Sequence, residues 1–233
     1  VVVGSSIEPR EGTFSYSNTR SSFDTEERYR QTVFTINSLR NCLPDARIII
    51  VDSSEDYMKY YTHLAFIKNV EYVPLKEISY TAFEAVNTHK NKSYCESLLL
   101  NTFYKAYKKE IENYDYIIKA TGRYFYYNFN EFLFTQENVD KIFFKKPLQF
   151  KWNDAWNYWM VDRREIQKDD MLRQYCTVLY GFGKQYLNTM IDINDAVMNF
   201  IDSQEMANYD IETLAYYLTR PYEQNIIETD WIV

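Results

Sequence analysis

The stretch Tyr114-Asp115-Tyr116-Ile117-Ile118-Lys119-Ala120-Thr121-Gly122-Arg123-Tyr124 decides how the rest of the chain is read. Tyr116-Ile117-Ile118 is short, apolar and β-prone, which predicts a buried strand. The apolar run stops at Lys119, where Ala120, Thr121, Gly122 and Arg123 bring a turn and two cations. In an open α/β sheet, ligands collect beyond the carboxyl ends of the strands. A lysine and an arginine there, beside a glycine that lets the backbone come close, suit an anion such as a diphosphate. A polar strand end on a charged surface would carry the same residues, so the neighbouring elements have to decide.

Working back from this strand, Ser93 and Glu96 stand in capping-box spacing and predict a helix over residues 94 to about 111. Its buried face is Cys95, Leu98, Leu99, Thr102, Phe103 and Ala106. Val70-Glu71-Tyr72-Val73-Pro74-Leu75 reads as another strand, preceded by an amphipathic segment over residues 57–66. Ile48-Ile49-Ile50-Val51 is a continuous β-branched run, hence a strand covered on both faces, and it opens into Asp52-Ser53-Ser54-Glu55-Asp56. A helix is predicted from near Asp24, with Glu27 in capping-box spacing and a stripe of Tyr29, Val33, Ile36, Leu39 and Leu43. Pro44-Asp45 stops it. Val1-Val2-Val3 then forms a first strand, Gly4-Ser5-Ser6-Ile7 the turn leaving it, and residues 8–22 a polar loop long enough to be functional. Strand, helix, strand in this rhythm is a βαβ architecture with right-handed crossovers.

The second half is less periodic. Residues 141–151 predict a strand or two, and Thr177-Val178-Leu179-Tyr180 a strand closed by Gly181-Phe182-Gly183. Leu187, Met190, Ile191, Val197, Met198 and Ile201 mark one helix, and Ile211, Leu214, Ala215 and Leu218 a last one ending before Pro221. Trp152, Trp156 and Trp159 are spaced for one helical face, with a strand as the alternative. No repeat or linker marks a boundary, so a single domain over residues 1–233 is expected.

Composition narrows the function. With 233 residues, 46% of them hydrophobic, the chain can bury a full core, and five glycines and five prolines argue against disorder. A net charge of −7 argues against a nucleic-acid binder. Cys42, Cys95 and Cys176 are odd in number and far apart, which predicts neither a disulfide scaffold nor a zinc ribbon and fits a reducing, cytoplasmic compartment. His63 and His89 lack metal-ligand spacing. No apolar run approaches a membrane span, and no signal peptide is visible. The sequence begins at Val1 rather than methionine, which is compatible with residues or a neighbouring domain upstream.

Together these parts resemble a glycosyltransferase of the A fold, a single Rossmann-like α/β domain with a mostly parallel central sheet flanked by helices. The likeness runs through Val1-Val2-Val3-Gly4-Ser5-Ser6, Thr35-Ile36-Asn37-Ser38-Leu39-Arg40 and Leu43-Pro44-Asp45-Ala46-Arg47-Ile48-Ile49-Ile50-Val51-Asp52-Ser53-Ser54-Glu55-Asp56. That last passage is similar to one in the large inverting family, whose acidic residue after the second strand contacts the nucleotide base and matches Asp52. The likeness covers roughly the first 125 residues at the level of pattern. It implies a nucleotide-sugar-binding half over 1–125 and an acceptor-binding half over 126–233.

One departure matters. The family's Asp-x-Asp motif falls where this chain has Lys119-Ala120-Thr121-Gly122-Arg123. That motif holds a divalent cation, which neutralises the charge of the departing nucleoside diphosphate. Two fixed cations do the same electrostatic work, so no essential metal is expected, with manganese or magnesium left open. Short transferases with a Lys-x-x-Gly-Arg-Tyr passage, some from large viruses or surface-polysaccharide loci, are similar here.

The expected donor-binding set is Ser5, Ser6, Arg20, Arg28, Asp52, Ser53, Lys119, Gly122 and Arg123. Each has a plainer role available: Asp52 as a helix cap, Ser5 and Ser6 as an ordinary turn, Arg20 and Arg28 as surface residues. An inverting transfer needs a carboxylate to take the acceptor's proton. The resemblance puts it near Tyr209-Asp210-Ile211-Glu212-Thr213-Leu214, with Glu212 preferred and Asp210 second. Asp154, Asp162, Glu165, Asp169 and Asp170 are further carboxylates in this half, and retention stays open. Trp152 and Trp156 are the expected acceptor-binding aromatics, with core packing as the alternative. The expected partners are a nucleotide-diphosphate sugar and a glycan acceptor. Two rivals stand beside this reading: a nucleotidyltransferase making activated sugars, and a non-catalytic carbohydrate-binding or assembly module. Gly181-Phe182-Gly183 is too short to be a phosphate loop.

Overall fold

The computed structural model describes residues 1–15, 17–127, 133–151, 171–203 and 210–231. In chain order its first elements are β1 (Val2–Ser5), α1 (Thr25–Cys42), β2 (Ile48–Asp52), α2 (Tyr57–Leu64) and β3 (Val70–Pro74). Then come α3 (Leu75–Ile78), α4 (Tyr80–Thr88), α5 (Lys92–Ala106), α6 (Lys108–Ile111) and β4 (Tyr116–Thr121). The rest comprises β5 (Ile142–Lys145), β6 (Leu148–Lys151), β7 (Met171–Gln174), β8 (Leu179–Gly183), α7 (Leu187–Asp202), α8 (Ile211–Leu218) and β9 (Ile226–Thr229). Seven strands form one sheet in the order β3-β2-β1-β4-β8-β5-β9. The first four pair in parallel, as do β5 and β9, while β8 runs antiparallel between β4 and β5. β6 and β7 pair as a separate antiparallel ribbon.

Alternation along the central strands builds two cores, one on each face of the sheet. Val2, Ile49, Val51 and Ile117 point to the side covered by Leu99, Phe103 and Leu187. Val3, Ile48, Ile50 and Ile118 point to the other, against Ile36 and Leu39 of α1 and Leu64 of α2. Covering both faces with helices explains why these strands are apolar throughout. Among the described residues no helix is long and apolar enough to cross a membrane.

Four local readings change. β4 does not end at Ile118: Lys119 pairs with Val2 on one side and Tyr180 on the other, so the cation sits inside the sheet. The capping box at Ser93 does not form. Asn91 caps α5 instead, accepting from the Tyr94 N–H at 3.0 Å, because Ser93 accepts from the Ile211 N–H and Glu96 pairs with Lys119. Residues 75–88, which carry no helix signal beyond Pro74, form α3 and α4. Gly181 and Gly183 lie within β8 rather than closing it. A methyl group on Gly183 would fall 1.6 Å from the Val139 carbonyl oxygen. Gly183→Ala is therefore expected to cost about 1–3 kcal/mol or more through forced backbone displacement, read from the denaturant midpoint. Trp152, Trp156, Trp159, Tyr209 and the carboxylates from Asp154 to Asp170 lie outside the described residues.

Candidate functional site

A cavity of about 280 Å³ opens beyond the carboxyl ends of β1 and β4. Gly4, Ser5 and Ser6 come from β1 and its turn, Thr121, Gly122 and Arg123 from the end of β4, and Arg28 and Thr32 from the first turns of α1. The loop at 9–23 and the facing ends of α4 and α5 complete the wall. Thr32, Thr35 and Ser38, three polar residues on the buried face of α1, hold the segment after β4 in place. Thr32 donates to the Gly122 carbonyl at 3.1 Å, Thr35 donates to the Tyr124 carbonyl at 2.8 Å, and Ser38 accepts from the Tyr126 N–H at 3.0 Å. The Gly122 N–H donates to Gly4 at 3.1 Å, and a Cβ there would press on Gly4, Val3 and Ser5 at 3.3–3.4 Å. A glycine suits this contact between the turn and β1.

Of the expected donor residues, the structure brings Ser5, Ser6, Arg20, Arg28, Ser53, Lys119, Gly122 and Arg123 to one cavity wall. Their side chains are engaged differently. Arg28, 6% exposed, donates to the Ser6 carbonyl and to the Ser21 hydroxyl. Burial, and then the neighbouring Arg123 charge, push its pKa down to about 10. Arg20 donates to the carbonyls of Val86 at 2.7 Å and His89 at 3.0 Å, tying down the end of α4, and lies over the Phe14 ring. Arg123 makes no side-chain hydrogen bond or ion pair among the described residues. Elsewhere arginines find carboxylates: Arg10 holds Glu55 and Glu84, Arg47 holds Glu71 and Glu110, and Arg30 holds Glu26.

Lys119 differs from the expectation of a free clamp. It is 1% exposed, and its ammonium donates to Glu96, to the Thr121 hydroxyl at 2.9 Å and to the Thr177 carbonyl at 2.5 Å. An ammonium has three protons, and all three are used. Burial pushes the Glu96 carboxyl up, but Lys119, Lys92 and Arg123 outweigh it and hold Glu96 below the usual range. Thr177 extends the string, its hydroxyl donating to Glu212 at 3.1 Å.

Asp52 does not line the cavity. Its carboxylate, 1% exposed, accepts from the N–H groups of Ile7 (3.0 Å) and Ser54 (2.8 Å) and from the Tyr72 hydroxyl (2.8 Å). It thereby fixes the turns after β1 and β2, and burial beside Asp52 drives the Tyr72 pKa upward. Asp210 and Glu212 also stand off the wall. Asp210 caps α8, accepting from the Thr213 N–H at 2.6 Å and from Gln174 at 2.8 Å. Glu212 keeps one oxygen without a donor among the described residues, and burial, then Glu96 and Asp210, raise its pKa.

Sequence reasoning missed Glu96, which its spacing from Ser93 disguises as a capping residue, and Lys92 and Asn87, which carry no signal. The polar ladder Thr32, Thr35 and Ser38 was visible as hydroxyls on one helical face, but the apolar stripe beside it drew the reading.

The sequence matches no protein-family model, and no curated protein matches it either. Solved structures do. A galactosyltransferase, LgtC, in complex with donor and acceptor sugar analogues matches with a TM-score of 0.51 at 8% identity, over 98% of this chain and 73% of its own. A nucleoside-diphosphate-sugar pyrophosphorylase from Vibrio cholerae RC9 matches over 98% of this chain and 91% of its own at 13% identity, with a TM-score of 0.49. At 8% identity to the galactosyltransferase the likeness is one of fold: an α/β, Rossmann-like architecture of the glycosyltransferase A type.

Proposed function

We propose that the chain is a glycosyltransferase, moving a sugar from a nucleoside-diphosphate donor to a glycan or related acceptor with inversion. One observation carries the reading. In a chain of net charge −7, the cavity at the strand ends is lined by Arg20, Arg28, Lys92 and Arg123, none in ion-pair contact with a carboxylate among the described residues. Such a wall favours an anion with several charges. The likeness to a galactosyltransferase bound to donor and acceptor analogues gives the fold a precedent for this use.

In the proposed step the bond from the anomeric carbon to the phosphate oxygen breaks, and the diphosphate leaves with the electron pair. The acceptor oxygen bonds to that carbon from the opposite face, and its proton passes to a carboxylate. Arg28 and Arg123 face the departing diphosphate and do the work a divalent cation would otherwise do. Ser5, Ser6, Ser53 and Gly122 border the nucleotide. Glu212 is the preferred base: burial raises the pKa of both carboxylates, but Glu212 has a spare oxygen whereas both oxygens of Asp210 are occupied. The acceptor is assigned to residues 126–233, with Trp152 and Trp156 as its aromatic contacts.

Thermal shift with UDP, GDP, dTDP and CMP, each with EDTA or with manganese, tests this. One nucleotide at a hundredfold excess over its Kd is expected to add about 2.7 kcal/mol, raising Tm by roughly 5–10 °C, with EDTA present. Stabilisation only with manganese overturns the metal-free clamp, and stabilisation by none overturns the donor site. With the matching nucleotide sugar, release of nucleoside diphosphate supports transfer, while pyrophosphate formation with a sugar phosphate and nucleoside triphosphate supports the nucleotidyltransferase.

A further inference from the structure

We propose that Glu96 makes the floor of this cavity selective for neutral sugars and against sugar acids; the assignment rests on the nucleotide-sugar reading above. Glu96 is the carboxylate on the cavity wall among the described residues. It projects from the second turn of α5, and one oxygen is fixed by Lys119, which is itself held by Thr121 and Thr177. The other oxygen receives no hydrogen bond among the described residues, so a preoriented acceptor remains at the floor. An ionised carboxylate accepts from O–H or N–H groups and has nothing to donate.

The polarity of the cavity is therefore split. Arg28 and Arg123 offer donors and positive charge near the end of β1, where a diphosphate fits. Glu96 offers lone pairs and negative charge. A hydroxyl of a neutral hexose or pentose satisfies that oxygen. A uronate carboxylate brought to the same place meets the like charge of that oxygen at contact distance, and Lys92 and Arg123, which act on Glu96 through charge without a hydrogen bond to it, offset that cost only in part. Lys119 cannot offset it, because its protons are already committed. The low pKa of Glu96 keeps the carboxylate charged at neutral pH. A buried cation that looks like part of a phosphate clamp thus acts as a positioning residue for the carboxylate beside it.

The test is calorimetry on the whole chain with UDP, UDP-glucose and UDP-glucuronate, and with GDP, GDP-mannose and GDP-mannuronate. For the base that binds, the neutral sugar nucleotide is expected to bind at least about tenfold tighter than the acid, the size of one charged hydrogen bond. Glu96→Gln is expected to bring the two within about threefold while leaving the free nucleoside diphosphate within twofold. Circular dichroism checks folding of the variant; if E96Q does not fold, the E96Q/K119M double variant, which removes both charges, carries the comparison. Equal binding of neutral and acid sugars by the wild type, or an unchanged ratio in the variant, overturns the selectivity and leaves the donor site standing. Binding of no nucleotide in either series overturns the donor site and this assignment together.

Discussion

Lys119→Met is expected to cost about 3–5 kcal/mol of stability at neutral pH, a fall of roughly 6–20 °C in Tm. The methionine fills the volume but leaves Glu96 ionised in a site closed to bulk water except through the cavity. It also strips the Thr177 carbonyl and Thr121 hydroxyl of their donor. Removing one member of a buried pair costs more than removing both, because an uncompensated charge stays behind. The double variant E96Q/K119M should therefore regain most of the loss. The sign with pH follows from Glu96, whose pKa is held down in the folded chain. Its contribution is fully present above the ordinary glutamate value and is lost as pH falls through the folded value. The gap between wild type and K119M should accordingly close in acid. Denaturant melts at pH 7 and pH 4 check this, and an equal penalty at both overturns the pairing as its cause.

The parallel part of the fold is legible because its strands are buried on both faces. Ile48 to Val51 and Tyr116 to Ile118 are apolar without interruption, and strands of that kind need crossover helices, which α1 and α5 supply. Helix ends were harder to read. Ser93 and Glu96 have the spacing of a cap, yet their partners are Ile211 and Lys119, more than a hundred and more than twenty residues away along the chain, and tertiary bonds of that reach leave no local trace. The same limit applies to the site. Arg20, Arg28 and Arg123 could be picked out as cations near strand or helix ends. That Lys119 is neutralised, that Asp52 ties together two turns, and that Thr32 and Thr35 anchor the turn carrying Arg123 depends on which strands lie side by side. β8 illustrates the point: its antiparallel insertion between β4 and β5 brings Thr177 against Lys119 and follows from no periodicity in the sequence.

Arg123→Glu should weaken nucleoside diphosphate binding by at least a hundredfold while moving stability by less than about 0.5 kcal/mol. The two halves of this expectation have separate causes. The turn is held through its backbone, by Gly122 on Gly4, Thr32 on Gly122 and Thr35 on Tyr124, so its geometry does not depend on the Arg123 side chain. That side chain lies beside Arg28, whose pKa it lowers, and near Glu96, whose pKa it helps hold down, so it adds repulsion on one side and attraction on the other. A glutamate there gives Arg28 a counter-ion and sets a like charge near Glu96, two opposed changes that leave the fold intact. An incoming diphosphate then loses one cation, meets a new anion, and finds Arg28 already paired. Wild-type affinity should also fall as ionic strength rises from 50 to 500 mM, a span over which the Debye length shrinks from about 14 Å to about 4 Å, and the variant, left with Arg20 and Lys92 as wall cations in no ion pair among the described residues, should show a shallower slope. Titration calorimetry at the two salt concentrations gives both readings. If R123E binds the nucleotide as tightly as the wild type, the cationic end of the cavity is not where the diphosphate goes.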